Sequence, residues 1–281
     1  MKTAPLLGLA ALQLLIIAWV HNPFASAAKD EAPWLTDLTA DALLIEDGEG
    51  STRRLERTED SWTLQPEGLP ADSTKLERLL SRLEALSPAQ PLATSEGAAK
   101  RFAVDETAGF ERRVTLTADG ERQTFLLGRS QGPRHSALRW DGDRAIYRVA
   151  LTTADWPVTV EGWLDRALLA VPEETQGALT VGSTAVGEDE DQATTLRQRL
   201  AGLRVTRLAT DAEQGEADDL AVLTVDTSDG ETLTLRFARL GPDDSPTGYL
   251  VTSSARPESF YLAPYQGRPI VDAMAALGPK P

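Results

Sequence analysis

One phrase of alternating apolar and polar residues occurs twice in the chain, and each occurrence commits it to an antiparallel hairpin. The first copy is RVTLTADGERQTFLLG at 113–128 and the second is VLTVDTSDGETLTLRF at 222–237. In each, an alternating run reaches Asp-Gly, Glu follows, and a second run returns. In the second copy Leu223 and Val225 alternate with Thr224 and Asp226, and Leu233, Leu235 and Phe237 alternate with Thr234 and Arg236. A period of two places one set on a buried sheet face. A three-residue loop ending at Gly230 sets Thr227 opposite Glu231, Val225 opposite Leu233 and Leu223 opposite Leu235. A two-residue loop sets Asp226 against Leu233 and splits the apolar set over both faces. In the first copy the three-residue register matches Val114 with Thr124. It puts Leu126 on the side of Val114 and Leu116, and turns Phe125 and Leu127 the other way. That conflict predicts a bulge, or cover on both faces, in the first hairpin.

The 281 residues suffice for one large or two ordinary domains, and 41% hydrophobic residues permit a real core. Asp and Glu number 43 against 28 Lys and Arg, a formal charge of −15. This gives a soluble, self-repelling surface. It argues against a nucleic-acid interface, which needs a concentrated basic patch, and against broad contact with anionic lipid. The absence of cysteine excludes disulfides, thiolate nucleophiles and Cys metal sites, and fits an extracytoplasmic compartment.

Residues 1–30 read as a signal peptide or signal anchor. Lys2 is followed by the uncharged run LLGLAALQLLIIAWV at 6–20, which His21, Asn22 and Pro23 end. Ala25-Ser26-Ala27 has the small-x-small form of a signal peptidase site. The alternative is a retained single-pass anchor over residues 3–20, near the lower length limit for a span. Lys2 then sets its own end in the cytoplasm. The expected location is the bacterial inner membrane with the body facing the periplasm, or the periplasm after cleavage near Ala27. A buried cytoplasmic helix is the bland alternative.

Downstream, Trp34, Leu35 and Leu38 suggest a short opening element. Strands are expected at 42–46, 52–57 and 61–64. A helix is expected at 72–86, capped by Asp72 or Ser73, with Leu76, Leu79, Leu80, Leu83 and Leu86 on one face. Residues 98–102 read as one helical turn. The first hairpin follows, then a second at 137–149 around Asp141-Gly142-Asp143 and short helices at 151–156 and 163–169. After the acidic run 188–191, which lacks calcium-loop spacing, come a helix at 193–203, a strand at 204–208 and an acidic loop at 211–219. The second hairpin, a strand pair at 248–252 and 259–262, and a closing helix at 269–277 complete the chain. Helix, hairpin, strand pair and final helix recur in the same order. The expected fold is therefore α+β: two related units of antiparallel sheet packed with short helices, at 31–174 and 175–281.

The hydrophobic start, the strand phrase at 42–46 with Trp62-Thr63-Leu64, the helix from Ala71-Asp72 to Leu86, and Tyr147-Arg148-Val149 followed by Trp163 resemble an uncharacterised bacterial family catalogued as domain of unknown function 4340. The resemblance covers most of residues 35–170 and the second unit more loosely. It implies a membrane segment, an envelope-facing body, and association with auxiliary components of ABC-type transporters, including gliding-type systems. It supplies no catalytic residues.

The chain offers little enzyme chemistry. Its histidines are His21 and His135, and His135 lies in GPRHS at 132–136. An adjacent serine does not make a triad without an orienting acid. No GxSxG, HExxH or Walker sequence occurs. We therefore assign no catalytic, cofactor or metal residue. The expected activity is non-enzymatic docking against a membrane or periplasmic protein partner, for which the resemblance implies an ABC transporter subunit. The alternative is a periplasmic ligand- or polymer-binding module.

Overall fold

The computed structural model describes residues 34–35, 39–59, 61–87, 90–187 and 191–278. Its first sheet is built from β1 (Ala42–Asp47), β2 (Thr52–Arg57), β3 (Trp62–Gln65), β4 (Leu69–Pro70), β7 (Arg112–Ala118), β8 (Glu121–Ser130), β9 (Ser136–Trp140) and β10 (Tyr147–Val149). Helix α1 (Ser73–Glu84), helix α2 (Glu96–Phe102) and the short pair β5 (Val104–Asp105) and β6 (Gly109–Phe110) lie between β4 and β7. The second sheet contains β11 (Gln176–Val181), β12 (Thr184–Val186), β13 (Arg207–Leu208), β14 (Asp218–Thr227), β15 (Thr232–Leu240), β16 (Gly248–Ser253) and β17 (Arg256–Leu262). Helices α3 (Asp191–Ala201), α4 (Asp211–Glu216) and α5 (Pro264–Leu277) accompany it. The result is α+β, with antiparallel sheets of eight and seven strands packed with short helices.

The strand order β2-β1-β7-β8-β9-β10 in the first sheet matches β12-β11-β14-β15-β16-β17 in the second. The register matches as well, counted from the closing pair of each central hairpin. The row Ile45, Val114, Phe125, Trp140 corresponds to Val181, Leu223, Leu235, Ser253. The next row, Arg112, Leu127, Leu138, Tyr147, corresponds to Ala221, Phe237, Val251, Phe260. The first sheet is extended at one edge by β3 and β4, and the second at the opposite edge by β13.

The two hairpins reach this common register through different turns. In the second, Val225 pairs with Leu233 and Leu223 with Leu235, as expected, and Thr227 N–H donates to the Glu231 carbonyl at 2.8 Å. In the first, Ala118 pairs with Glu121, so the loop holds only Asp119 and Gly120, with φ of 50° and 82°. Positive φ at both positions defines a type I′ turn, whose twist suits a hairpin. The expected pairing of Val114 with Thr124 is thereby corrected: Val114 faces Phe125, and Phe125 and Leu127 join Val114 and Leu116 in the main core. Leu126 points to the other face, where Ala98, Ala99, Val104, Ala137 and Ile146 cover it. This is the two-sided cover that the pattern required.

Helix α1 keeps Leu76, Leu79, Leu80 and Leu83 buried, and Asp72 caps it by accepting from Lys75 N–H at 2.9 Å. Each such leucine stabilises the fold by roughly 1.5–3 kcal/mol. The inner faces of both sheets belong to one continuous apolar cluster. Val205 N–H donates to the Arg166 carbonyl at 2.8 Å and Val171 N–H to the Leu200 carbonyl at 3.2 Å, tying the first half to the second.

Several expectations are corrected. Residues 151–156 form only the 3-10 turn Thr153–Asp155, and 163–169 form turns rather than a helix. The acidic stretch after Thr210 holds helix α4, because Thr210 and Glu213 make a reciprocal capping box. The strand at 204–208 shortens to β13, and the closing helix begins earlier, at Pro264. The expected single-pass anchor in the inner membrane, facing the periplasm, is also corrected. Among the described residues no helix is long and apolar enough to cross a membrane. The longest, α5, has 14 residues, against about 20 for a span. The segment 3–20, the site near Ala27, Leu38 and residues 188–190 lie outside the described residues.

Candidate functional site

An apolar groove opens where β11 ends beside β14. Strand β14 has ten residues and β11 six, and their pairing ends at Leu223 and Val181, followed by a Gly182 N–H bond to the Val222 carbonyl at 2.8 Å. Among the described strands, residues 218–221 therefore pair with β15 alone. Within that stretch the register with β15 shifts between Asp219 and Ala221, which makes Leu220 the extra residue of a bulge. A bulge displaces side chains from strict alternation, and Leu220 is 37% exposed.

Helix α5 supplies the other wall. It packs on β14, β16 and α3. Its close approach to β16 depends on Gly267, where an added Cβ would collide with the Tyr249 ring. The groove has a volume of about 700 Å³ and is lined by Val181, Leu220, Ala221, Phe237, Val271, Met274 and Ala275, with Asp219 and Arg236 as its charged residues. Every charged residue between Arg207 and Arg236 is acidic, so the chain leading into β14 and through its hairpin carries negative charge only.

The corresponding place in the first sheet is filled. Arg112 stands at the register position of Ala221, and its Nε donates to the Trp156 carbonyl at 2.8 Å. The Trp156 indole is fully buried, with its ring centroid 5.4 Å from that of Phe125. Trp163 closes the same loop by donating from Nε1 to the Pro157 carbonyl at 2.6 Å.

A second, polar cleft of about 380 Å³ is lined by Asp72, Lys75, Glu161, Asp165, Arg166 and Arg204. Its Lys75 is already engaged: Nζ donates to the Gly162 carbonyl at 2.5 Å and sits 4.6 Å from the Trp163 ring centroid. Burial lowers the Lys75 pKa, which Asp72 and Asp155 partly offset. Asp72 is occupied by its capping bond. The cleft thus holds groups that join helix, loop and indole.

His135 lies in a turn with its Nδ1 2.7 Å from the Pro133 carbonyl, which orients the ring in place of a carboxylate. A bidentate ion pair lies elsewhere. Arg207 donates to both Glu213 oxygens at 2.6 and 2.7 Å while its guanidinium stacks 4.2 Å from the Tyr261 ring centroid. The hydrogen bonds from Arg207 lower the Glu213 pKa from 4.5 to about 2, against the opposing effect of burial. These bonds fix α4 to β13 and β17.

The groove residues escaped the sequence reading, although a signal was present. Leu220, Ala221, Val222 and Leu223 are four apolar residues in succession, at the start of a strand that otherwise alternates. A run that breaks the period marks a bulge or a two-sided position.

Fold and groove define an α+β protein of two large antiparallel sheets, with an open apolar groove among the described residues. Residues 62–216, more than half of the chain, match the family model described as a domain of unknown function (DUF4340), and the chain belongs to that family. No curated protein and no solved structure matches it.

Proposed function

We propose that this protein is a non-enzymatic docking module that holds a protein partner through the groove between β14 and α5. The observation that carries this reading is a stretch of strand, residues 218–221, that among the described strands is paired on one side only and borders an apolar groove. Unpaired strand edges and exposed apolar surface are the two features by which proteins recruit other chains. A small-molecule site calls for convergent polar groups, and this lining offers only Asp219 and Arg236 as charged residues. The family resemblance supplies a setting, an accessory of an ABC-type transporter, which belongs to the proposal.

The test is site-specific photo-cross-linking in the native host, with the cross-linker at exposed Ala275 on the groove wall and a control at exposed Glu121. The expected result is one discrete protein adduct at 275, identified by mass spectrometry as a transporter subunit, and none at 121. A second protein at 275 would retain docking and remove the transporter setting. No adduct at 275, or the same adducts at both positions, would contradict docking through this surface.

A further inference from the structure

We propose that the groove takes an extended, basic segment of the partner protein, which adds its main chain to residues 218–221 of β14 and seats an aromatic side chain against Ala221, Phe237 and Met274. This rests on the docking reading and names the occupant.

The main chain of β14 indicates the form of the segment. Beyond the Gly182–Val222 bond, residues 218–221 have β15 on one side and no described strand on the other. Another strand satisfies such N–H and carbonyl groups without reference to sequence, and pockets beside the edge then select side chains.

The first sheet indicates the side chain. There the matching register position is Arg112, which holds Trp156 by its carbonyl and fills the space over the sheet with an indole. In the second sheet Ala221 is too short to reach such a loop, and α5 follows β17 in its place. The space left beside Ala221 and Phe237 therefore suits the kind of group that occupies its counterpart. Buried aromatic anchors of this type carry most of the energy at protein interfaces.

Charge indicates the flanks. Asp219 lies in the lining, and Asp218 beside it, with a side chain 69% exposed, pairs with Arg239 at 3.4 Å. Every charged residue from 208 to 235 is acidic and the net charge is −15, so the overall field favours a cationic segment, with Arg236 in the lining and Arg239 on Asp218 as the local counter-charges. Complementary charge of this kind speeds encounter and selects among partners.

The experiment titrates the 281-residue chain into the fluorescein-labelled peptide Lys-Lys-Val-Trp-Val-Lys-Lys and reads anisotropy. Three control peptides replace Trp with Ala, replace Lys with Glu, or carry N-methylated valines. Saturable binding is expected, weakened at least about tenfold in each control. Ala221→Trp, which fills the groove from within, is expected to abolish binding while far-UV circular dichroism and the unfolding transition are retained. Ala275→Trp on the exposed wall is the second variant should the first not fold. Equal binding by wild type and the folded variant would overturn the assignment of the site. Undiminished binding of the N-methylated peptide would overturn strand addition. Absence of peptide binding alongside an adduct at position 275 would remove this occupant and leave docking standing, whereas loss of the adduct as well would remove both.

Discussion

Arg112 holds Trp156 by a bond from its Nε to the tryptophan carbonyl, 2.8 Å long, and so closes the first sheet over its own core. The second sheet has Ala221 at that register position and a groove beside it. One difference in side-chain reach thus accompanies a core face covered by an indole in the first sheet and an open apolar groove in the second.

Trp156 is expected to be a large contributor to stability. Its indole is fully buried and lies against Phe125. Trp156→Ala leaves a cavity that a tied-down loop fills poorly, and is expected to cost about 3–5 kcal/mol. Urea unfolding followed by circular dichroism measures this; a loss below about 1 kcal/mol would mean that the loop collapses into the space.

A second cost is backbone proximity. Gly128 in β8 faces the carbonyl oxygens of Phe102 and Ala103, and an added Cβ would overlap both unless the backbone shifts. Gly128→Ala should destabilise by about 1–3 kcal/mol and loosen α2 from the outer face of the first sheet. Hydrogen exchange in residues 96–102 checks the local effect, which should exceed that in α3.

The two turns should respond to strain alone. Gly120 has a φ of 82° and Gly230 of 87°, and nothing lies within 4 Å of a Cβ added at either. Gly120→Ala and Gly230→Ala are therefore expected to cost similar amounts, about 1–2 kcal/mol each. Thermal melts of the two variants compare them directly; a cost confined to one turn would contradict a purely conformational origin.

Acid stability should report Glu213. Its folded pKa is depressed from 4.5 to about 2, so the unfolded state binds the proton more readily. The contribution of the Arg207–Glu213 pair is then complete above pH 4.5 and is lost as pH falls toward about 2. Glu213→Gln should lower stability at neutral pH by about 1–2 kcal/mol and flatten the decline across that window. Urea midpoints measured between neutral pH and pH 2.5 test both effects.

The sheets were legible because alternation and turn chemistry act locally. Leu223, Val225, Leu233 and Leu235 read correctly from period and loop length together. Phe125 and Leu127 did not, because an Asp-Gly pair fits both the two-residue and three-residue loops, and only the cover supplied by α2 decides which face takes Leu126. The loop around Trp156 and Trp163 resembled helices in its apolar spacing, yet its backbone is held by long-range bonds from Arg112 and by its own carbonyls. The groove was harder still to read. It arises where β11 stops short of β14, and relative strand length is a property of two distant segments.

The most direct test of strand addition at this edge is amide hydrogen exchange of residues 218–221 with and without the saturating Lys-Lys-Val-Trp-Val-Lys-Lys peptide. Strand addition predicts slowed exchange in this stretch of β14, with β1 and β7 of the first sheet unchanged. Saturation of the peptide with no added protection at 218–221 would contradict the account.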